Sequence, residues 1–330
     1  MAGQLFAVNS LGGFYASFNL SKELRMGVKA TSKFRQFADV RDAFGKVTKA
    51  GQTFTWDVVP MMSRGNRALT ETNTIPQGQH TVLQGTLTMS ERGYSVPFTE
   101  ALESLSMVSV RQPIMKALKY DAMCDIDSLV HAEFNKTPLR VAATATADSV
   151  TLTTNSTATL TVSQQISLTN AKSIIDTMKG RNVPFYSDSE YAAIARPGGL
   201  RRLKNDLESI HQYTETGLSQ IMNGEVGRIP GDCRFVEQTV IPAGGAADST
   251  TFDAFTDTAD AWNAAAAPDW AFFFGSDTVC EAVHTPEEIR AKNPDDYGRS
   301  KGIAWYALLG YGLTHTNVAQ ARIFKWDSAV

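Results

Sequence analysis

Three cysteines and five histidines are the scarcest reactive side chains in this 330-residue sequence. One of each falls in a short stretch with a carboxylate between them: Cys124, Asp127 and His131. Steps of three and four residues bring such groups near one face of a helix. A thiol with a histidine base, or a metal held by three donors, is the chemistry that set would support. The plainer assignment is a small buried thiol next to a surface ion pair of His131 with Asp127 or Glu133, worth about 0.2–0.5 kcal/mol. His211 and Glu215 repeat the four-residue spacing and receive the same assignment. Asp295 and Asp296 stand beside Tyr297 and Arg299 in a loop bounded by Pro and Gly. Calcium takes about 6–8 oxygens at regular spacing, which this loop lacks, so a solvated turn is expected there. The sequence has no Gly-rich dinucleotide fingerprint, no phosphate loop, no HExxH and no Gly-x-Ser-x-Gly elbow. No catalytic residue, no cofactor-binding residue and no metal ligand is expected.

The clearest element around these residues is a helix starting near Pro113, with Ile114, Leu118, Ala122, Ile126, Leu129, Val130 and Phe134 in one apolar stripe. Asn135 and Pro138 end it. Before it, Phe54, Trp56 and Val58 alternate with polar residues, and Leu83, Leu87 and Met89 do the same, which predicts two strands. The polar stretch 61–80 between them forms the tip of a long hairpin. Apolar parity then shifts to Tyr94, Val96 and Phe98, and Gly93 marks a place for a bulge or bend. Residues 1–50 are rich in glycine and in alternating basic and aromatic positions, so they read as an arm that needs a surface from elsewhere. After the helix, Val150 and Leu152 with Leu160 and Val162 predict a hairpin, and 170–178 a helix. Phe185 and Tyr186 read as a short strand, and 187–194 as a short helix capped by Ser or Asp. Leu200, Leu203, Leu207 and Ile210 mark another helix. Residues 244–267 form a peripheral loop, 286–299 are charged and helix-compatible, and strands return at 270–274, 303–313 and 321–326.

Composition restricts the function classes. Hydrophobic residues at 43% and charged residues at 20% are those of a folding globular chain. With 31 basic against 34 acidic residues the net charge is −3, which leaves no basic footprint for reading nucleic acid. Three widely spaced cysteines argue for reduced thiols in a reducing compartment. No apolar run is long enough to span a bilayer, and the first 20 residues lack the positive start of a signal peptide, so no membrane association is expected.

Several local sequences carry a resemblance. They are Phe37-Ala38-Asp39-Val40, Leu69-Thr70-Glu71, Gly93-Tyr94 followed by Val96 to Thr99, and the run from Asn223 through Gly224, Gly227, Arg228 and Gly231 to a strand at 233–237. Together with the order of elements, they make the chain resemble the major capsid proteins of tailed bacteriophages with the HK97-type fold, in the N4-gp56-type branch. The resemblance implies an α+β fold with an N-terminal arm over 1–50, an extended β-hairpin loop over 51–98, and a peripheral domain with a spine helix over 99–140. It further implies an axial lobe with inserted loops over 141–282 and a C-terminal segment, 283–330, returning to the peripheral sheet. The implied function is structural and non-enzymatic: self-assembly of hexamers and pentamers into an icosahedral shell around double-stranded DNA. DNA contact would be non-specific, the other partners a portal and possible scaffold or cement proteins, and the location the virion capsid, assembled in bacterial host cytoplasm. A virion decoration or scaffold protein and a mixed α/β hydrolase are the alternatives. Relatives that lock themselves covalently use a lysine on the extended loop, and here 51–115 contains none.

Overall fold

The computed structural model describes residues 33–42, 53–60, 71, 75, 80–106, 109–144, 149–154, 165–187, 189–211, 225–229, 233–241, 270–293 and 295–326. Most of the arm, most of the 61–80 tip, the 160–162 half of the Thr-rich segment and the loop 244–267 lie outside these residues.

A 3-10 turn at Arg35–Phe37 leads into β1 (Asp39–Asp42), followed by β2 (Thr53–Val58), β3 (Leu83–Thr88) and β4 (Ser90–Thr99). Thr99 then starts α1 (Glu100–Leu105), its hydroxyl accepting from the Leu102 amide at 3.3 Å. The long helix α2 (Arg111–Asn135) has 25 residues and spans about 37 Å. Pro113 sits in its first turn, where a missing amide hydrogen costs no helical bond. The predicted stripe is buried at Ile114, Leu118, Ala122, Ile126, Val130 and Phe134.

Past α2 come β5 (Leu139–Ala143), β6 (Val150–Thr153), α3 (Leu168–Gly180), β7 (Tyr191–Ala195) and α4 (Arg201–His211). The chain closes with β8 (Glu225–Ile229), β9 (Cys233–Glu237), β10 (Ala271–Phe274), β11 (Val279–Ala291), β12 (Ser300–Leu313) and β13 (Ile323–Trp326).

These strands form three sheets. One has the order β1-β11-β12-β4, a second β6-β5-β13-β10-β7-β9-β8, and the third is the pair β2-β3. Helix α2 lies on the four-stranded sheet, where Trp305 of β12 donates its Nε1–H to Asp121 at 2.8 Å. The end of α2 meets the seven-stranded sheet through Phe134, whose ring lies 5.7 Å from Phe272 and 5.2 Å from Phe274. One apolar core therefore serves both sheets, with Trp270, Phe272, Phe324 and Trp326 wholly enclosed in it.

Several local expectations are corrected. Residues 187–194 do not form a helix: Tyr191–Ala195 is strand β7, buried at every position between β10 and β9. A strand covered on both faces has no alternation to betray it, and its three alanines mimic helix propensity. Phe185 and Tyr186 are not in a strand but in the bend before β7. Val150–Thr153 pairs antiparallel with Leu139–Ala143, while its expected partner at 160–162 lies outside the described residues. The charged stretch 286–299 is not helical: it continues β11 and turns into β12 through a hairpin. Gly93 carries no bulge, because β4 pairs with β12 in unbroken register from Ser90↔Leu309 to Thr99↔Ser300. The parity shift arises at Met89, where the chain leaves the β2-β3 pair for the larger sheet. Gly93 serves close approach instead, since a Cβ there would stand 2.6 Å from the Trp305 carbonyl oxygen.

Candidate functional site

The Cys124, Asp127 and His131 stretch is a structural junction. From Cys124 onward α2 is buried on several sides, so its polar groups must be answered from within the protein. Asp127 is fully enclosed and accepts three hydrogen bonds: from the Lys33 amide at 3.3 Å, the Arg35 amide at 3.0 Å and Gln238 Nε2 at 2.7 Å. Gln238 in turn accepts from the Ile241 amide at 3.3 Å. The expected surface ion pair of Asp127 with His131 is therefore absent. The carboxylate instead caps the 3-10 turn and ties the segment before β1 to the long helix.

His131 is also fully enclosed, and its neighbours are rings: Phe34 at 5.3 Å, Trp270 at 5.2 Å and Phe272 at 5.5 Å between centroids. Neither ring nitrogen has a hydrogen-bond partner among the described residues. Burial, helped by the charge of Lys325, pushes its pKa down to about 3, so the imidazole is neutral. Lys325 is itself buried and donates to Asn135 Oδ1. Burial pushes the Cys124 thiol up, against a hydrogen bond from Tyr120, which keeps it protonated. Cys124 and His131 are seven residues apart along one helix, about 10 Å at 1.5 Å per residue. A thiol–imidazole dyad needs hydrogen-bond reach, and this pair does not have it.

Arg35 makes the second tie. Its guanidinium donates to Glu287 at 2.6 and 3.2 Å and to Glu281 at 3.1 Å. Glu281 is enclosed and also accepts from the Tyr311 hydroxyl at 2.9 Å. Burial works against the Arg35 cation, but the two carboxylates outweigh it and raise its pKa. Burial likewise works against the Glu287 carboxylate, and Arg35 reverses the effect, holding it below the usual range. Phe34 and Phe37 fill the core beneath, Phe37 lying 4.9 Å from Phe274. Full burial of each ring is worth about 1.5–3 kcal/mol. The aromatics thus supply most of the attachment, and the charged groups fix its register.

The β2-β3 pair has a separate seat. Phe54, Trp56 and Leu87 face the body, where Leu87, Met89, Cys280 and Ala282 form a small cluster distinct from the main core. Trp56 donates its Nε1–H to the Thr314 carbonyl at 3.1 Å. Its ring fits because Gly85 and Gly312 lack side chains; a Cβ on Gly85 would stand 2.3 Å from Trp56 Cε2.

The remaining candidates fall apart as sites. Asp295 and Asp296 lie in the exposed β11-β12 turn, as expected, with Tyr297 wholly outside and Arg299 3.7 Å from Asp296. The side chain of His211 and all of Glu215 lie outside the described residues. Among the described residues, no group of three or more His, Cys, Asp or Glu is placed to hold a metal ion. All three cysteines are buried, and none is joined in a disulfide among the described residues. Gln238, just past the end of β9, and Glu281, in the apolar start of β11, were not singled out by the sequence, where a polar residue beside apolar ones is the one available signal.

No protein-family model matches the sequence, and no curated protein matches it. The fold does have counterparts among solved structures. The capsid of Ralstonia phage GP4 aligns with a TM-score of 0.63 at 13% identity over 99% of both chains. The capsid of cyanophage P-SCSP1u aligns with a TM-score of 0.62 at 12% identity over 93% of this chain and 91% of the other. Cyanophage Pam1 gives 0.61 at 13% identity over 95% and 96%. At this identity the likeness speaks for the fold alone: the described residues have the HK97-type fold of phage capsid subunits.

Proposed function

We propose that this chain is the major capsid subunit of a tailed phage and assembles with copies of itself into a closed shell around double-stranded DNA. The observation that carries the reading is coverage. The likeness to the Ralstonia phage GP4 capsid takes in 99% of each chain, so neither has a large part without a counterpart in the other. On this reading α2 is the spine helix, the β2-β3 pair the root of the extended loop, and residues 1–50 the arm reaching a neighbour. The N4-gp56-type affinity rests on the local sequences quoted above. Hexamers and pentamers are the expected rings, portal and scaffold or cement proteins the expected partners, and the virion capsid, built in host cytoplasm, the expected location. A net charge of −3 suits loose, non-specific contact with packaged DNA.

The test is to purify the full chain and image it by negative stain. Closed shells of uniform diameter are expected. Compact trimers or monomers at every concentration would refute the shell and favour a decoration protein. Shells boiled in SDS with reductant should release chains near 35.9 kDa, because residues 51–115 offer no lysine for a covalent link.

A further inference from the structure

The tip of the β11-β12 hairpin carries an aromatic that packs against none of the described residues. Tyr297 is 105% exposed, and its φ of 54° lies in the left-handed region that disfavours a bulky side chain. Asp296 before it, at φ 52°, and Gly298 after it, at φ 91°, share that region. The turn is nevertheless well defined: the Gly298 amide donates to the Asp295 carbonyl at 3.2 Å and the Arg299 amide to the Asp296 carbonyl at 3.1 Å. A strained turn that holds a tyrosine wholly in solvent gains nothing for the fold of its own subunit. Tyrosine on a rigid support is, however, a frequent anchor of interfaces.

At the root of the same hairpin, a groove of about 460 Å³ runs between α2 and β11. Its floor is Ile126, Ile289 and Trp305, with Met123 exposed at its edge. Lys119 stands on the helix wall and Glu288 on the strand wall. This volume is in the range that encloses small ligands and can take a phenol ring. Arg35 and Glu287 also line the groove, and Glu288 is bonded to Arg290. The tip carries the complementary pair, Asp296 and Arg299, 3.7 Å apart beside Tyr297, so seating it would exchange that exposed pair for partners on the groove walls. The tip cannot reach its own groove. Six residues of chain, about 20 Å, separate Ile289 from Asp295 at the base of the tip. That stretch is held straight by pairing through Ala291↔Ile303, Lys292 to Gly302 and Asp295 to Ser300. Whatever fills the groove through this tip belongs to another copy.

We propose that Tyr297 of one copy seats in the α2-β11 groove of a neighbouring copy, with Asp296 facing Lys119 and Arg299 facing Glu288. The contact joins two different surfaces, so it repeats head to tail and closes into rings when the rotation between copies allows. It rests on the assembly reading above and names a specific contact within it.

Two variants of the full chain test it. Tyr297→Gly removes the ring while relieving the left-handed strain, so the subunit should fold and its critical concentration for assembly should rise at least tenfold. Tyr297→Cys combined with Met123→Cys, oxidised in assembled particles, should give an interchain disulfide mapped to positions 123 and 297. Tyr297→Cys combined with Met115→Cys, two turns away on the same helix, should not. The proposed contact is overturned if Tyr297→Gly assembles at the wild-type concentration. It is equally overturned if shells form but the 123–297 disulfide does not, which would mean that another segment fills the groove. A wild-type chain that never assembles refutes the shell reading itself and this contact with it.

Discussion

Replacing His131 by leucine should change how stability responds to acid far more than it changes stability at neutral pH. The imidazole makes no hydrogen bond among the described residues and is ringed by Phe34, Trp270 and Phe272. An apolar side chain of similar volume should therefore cost less than about 1.5 kcal/mol at pH 7. In the unfolded chain the imidazole titrates near 6.5, and in the folded chain near 3. Between those values the unfolded state binds a proton that the native state refuses, so stability is lost as pH falls from about 6.5 toward 3. At pH 4.5 the gap amounts to about 2.7 kcal/mol, two pH units below the unfolded pKa at 1.36 kcal/mol per unit, of which about 0.2 is already lost at pH 7. Urea unfolding of dilute wild-type and His131→Leu chains at pH 7.0 and 4.5 isolates this quantity as a double difference. Leucine should remove about 2.5 kcal/mol of the wild-type acid sensitivity. If both chains lose the same stability between the two pH values, His131 is not held neutral by its surroundings and the burial argument fails.

Asp127→Ala strands the Lys33 and Arg35 amides and the Gln238 side chain, and should cost about 3–5 kcal/mol in urea unfolding, with faster hydrogen exchange at Arg35. Asp127→Asn, which keeps one acceptor, should cost about half as much; an unchanged midpoint for the alanine variant would contradict the anchoring role. Gly85→Ala places a methyl against Trp56 and should unseat the β2-β3 pair, making Cys280 alkylate at least several-fold faster while Cys124 and Cys233 keep their rates. Equal acceleration of all three thiols would show that the small cluster does not open independently of the main core.

Long-period features were legible in the sequence and non-local ones were not. The stripe of α2 repeats over many turns, so Ile114 to Phe134 announce a helix whatever lies around it. Trp56 alternates with polar residues because one face of β2 is exposed. β7 hides for the opposite reason, since Tyr191 to Ala195 are covered on both faces. The 286–299 stretch becomes a strand through partners such as Tyr306 for Glu288 and Trp305 for Ile289, which no local propensity encodes. Asp127 was misassigned on its spacing to His131, because its true partners, the Lys33 and Arg35 amides, lie more than ninety positions earlier. The resemblance to capsid proteins carried the overall fold, which local patterns could not.

The β11-β12 hairpin is held by two unequal ladders. On one side β12 is riveted to β4 by ten successive partners without a shift. Within the hairpin itself, the ladder between β11 and β12 changes register between Val283 and Thr285 and again between Thr285 and Glu288, beside Pro286, which cannot donate a ladder bond. A load applied at the tip will be resisted in shear along the β12-β4 ladder and will yield first at the irregular β11-β12 ladder. The hairpin therefore acts as a leaf spring with one stiff and one compliant side, and any pull on Tyr297 is converted into a bend in a single sense. In a closed container under internal pressure, neighbouring subunits so constructed would all deflect with the same hand.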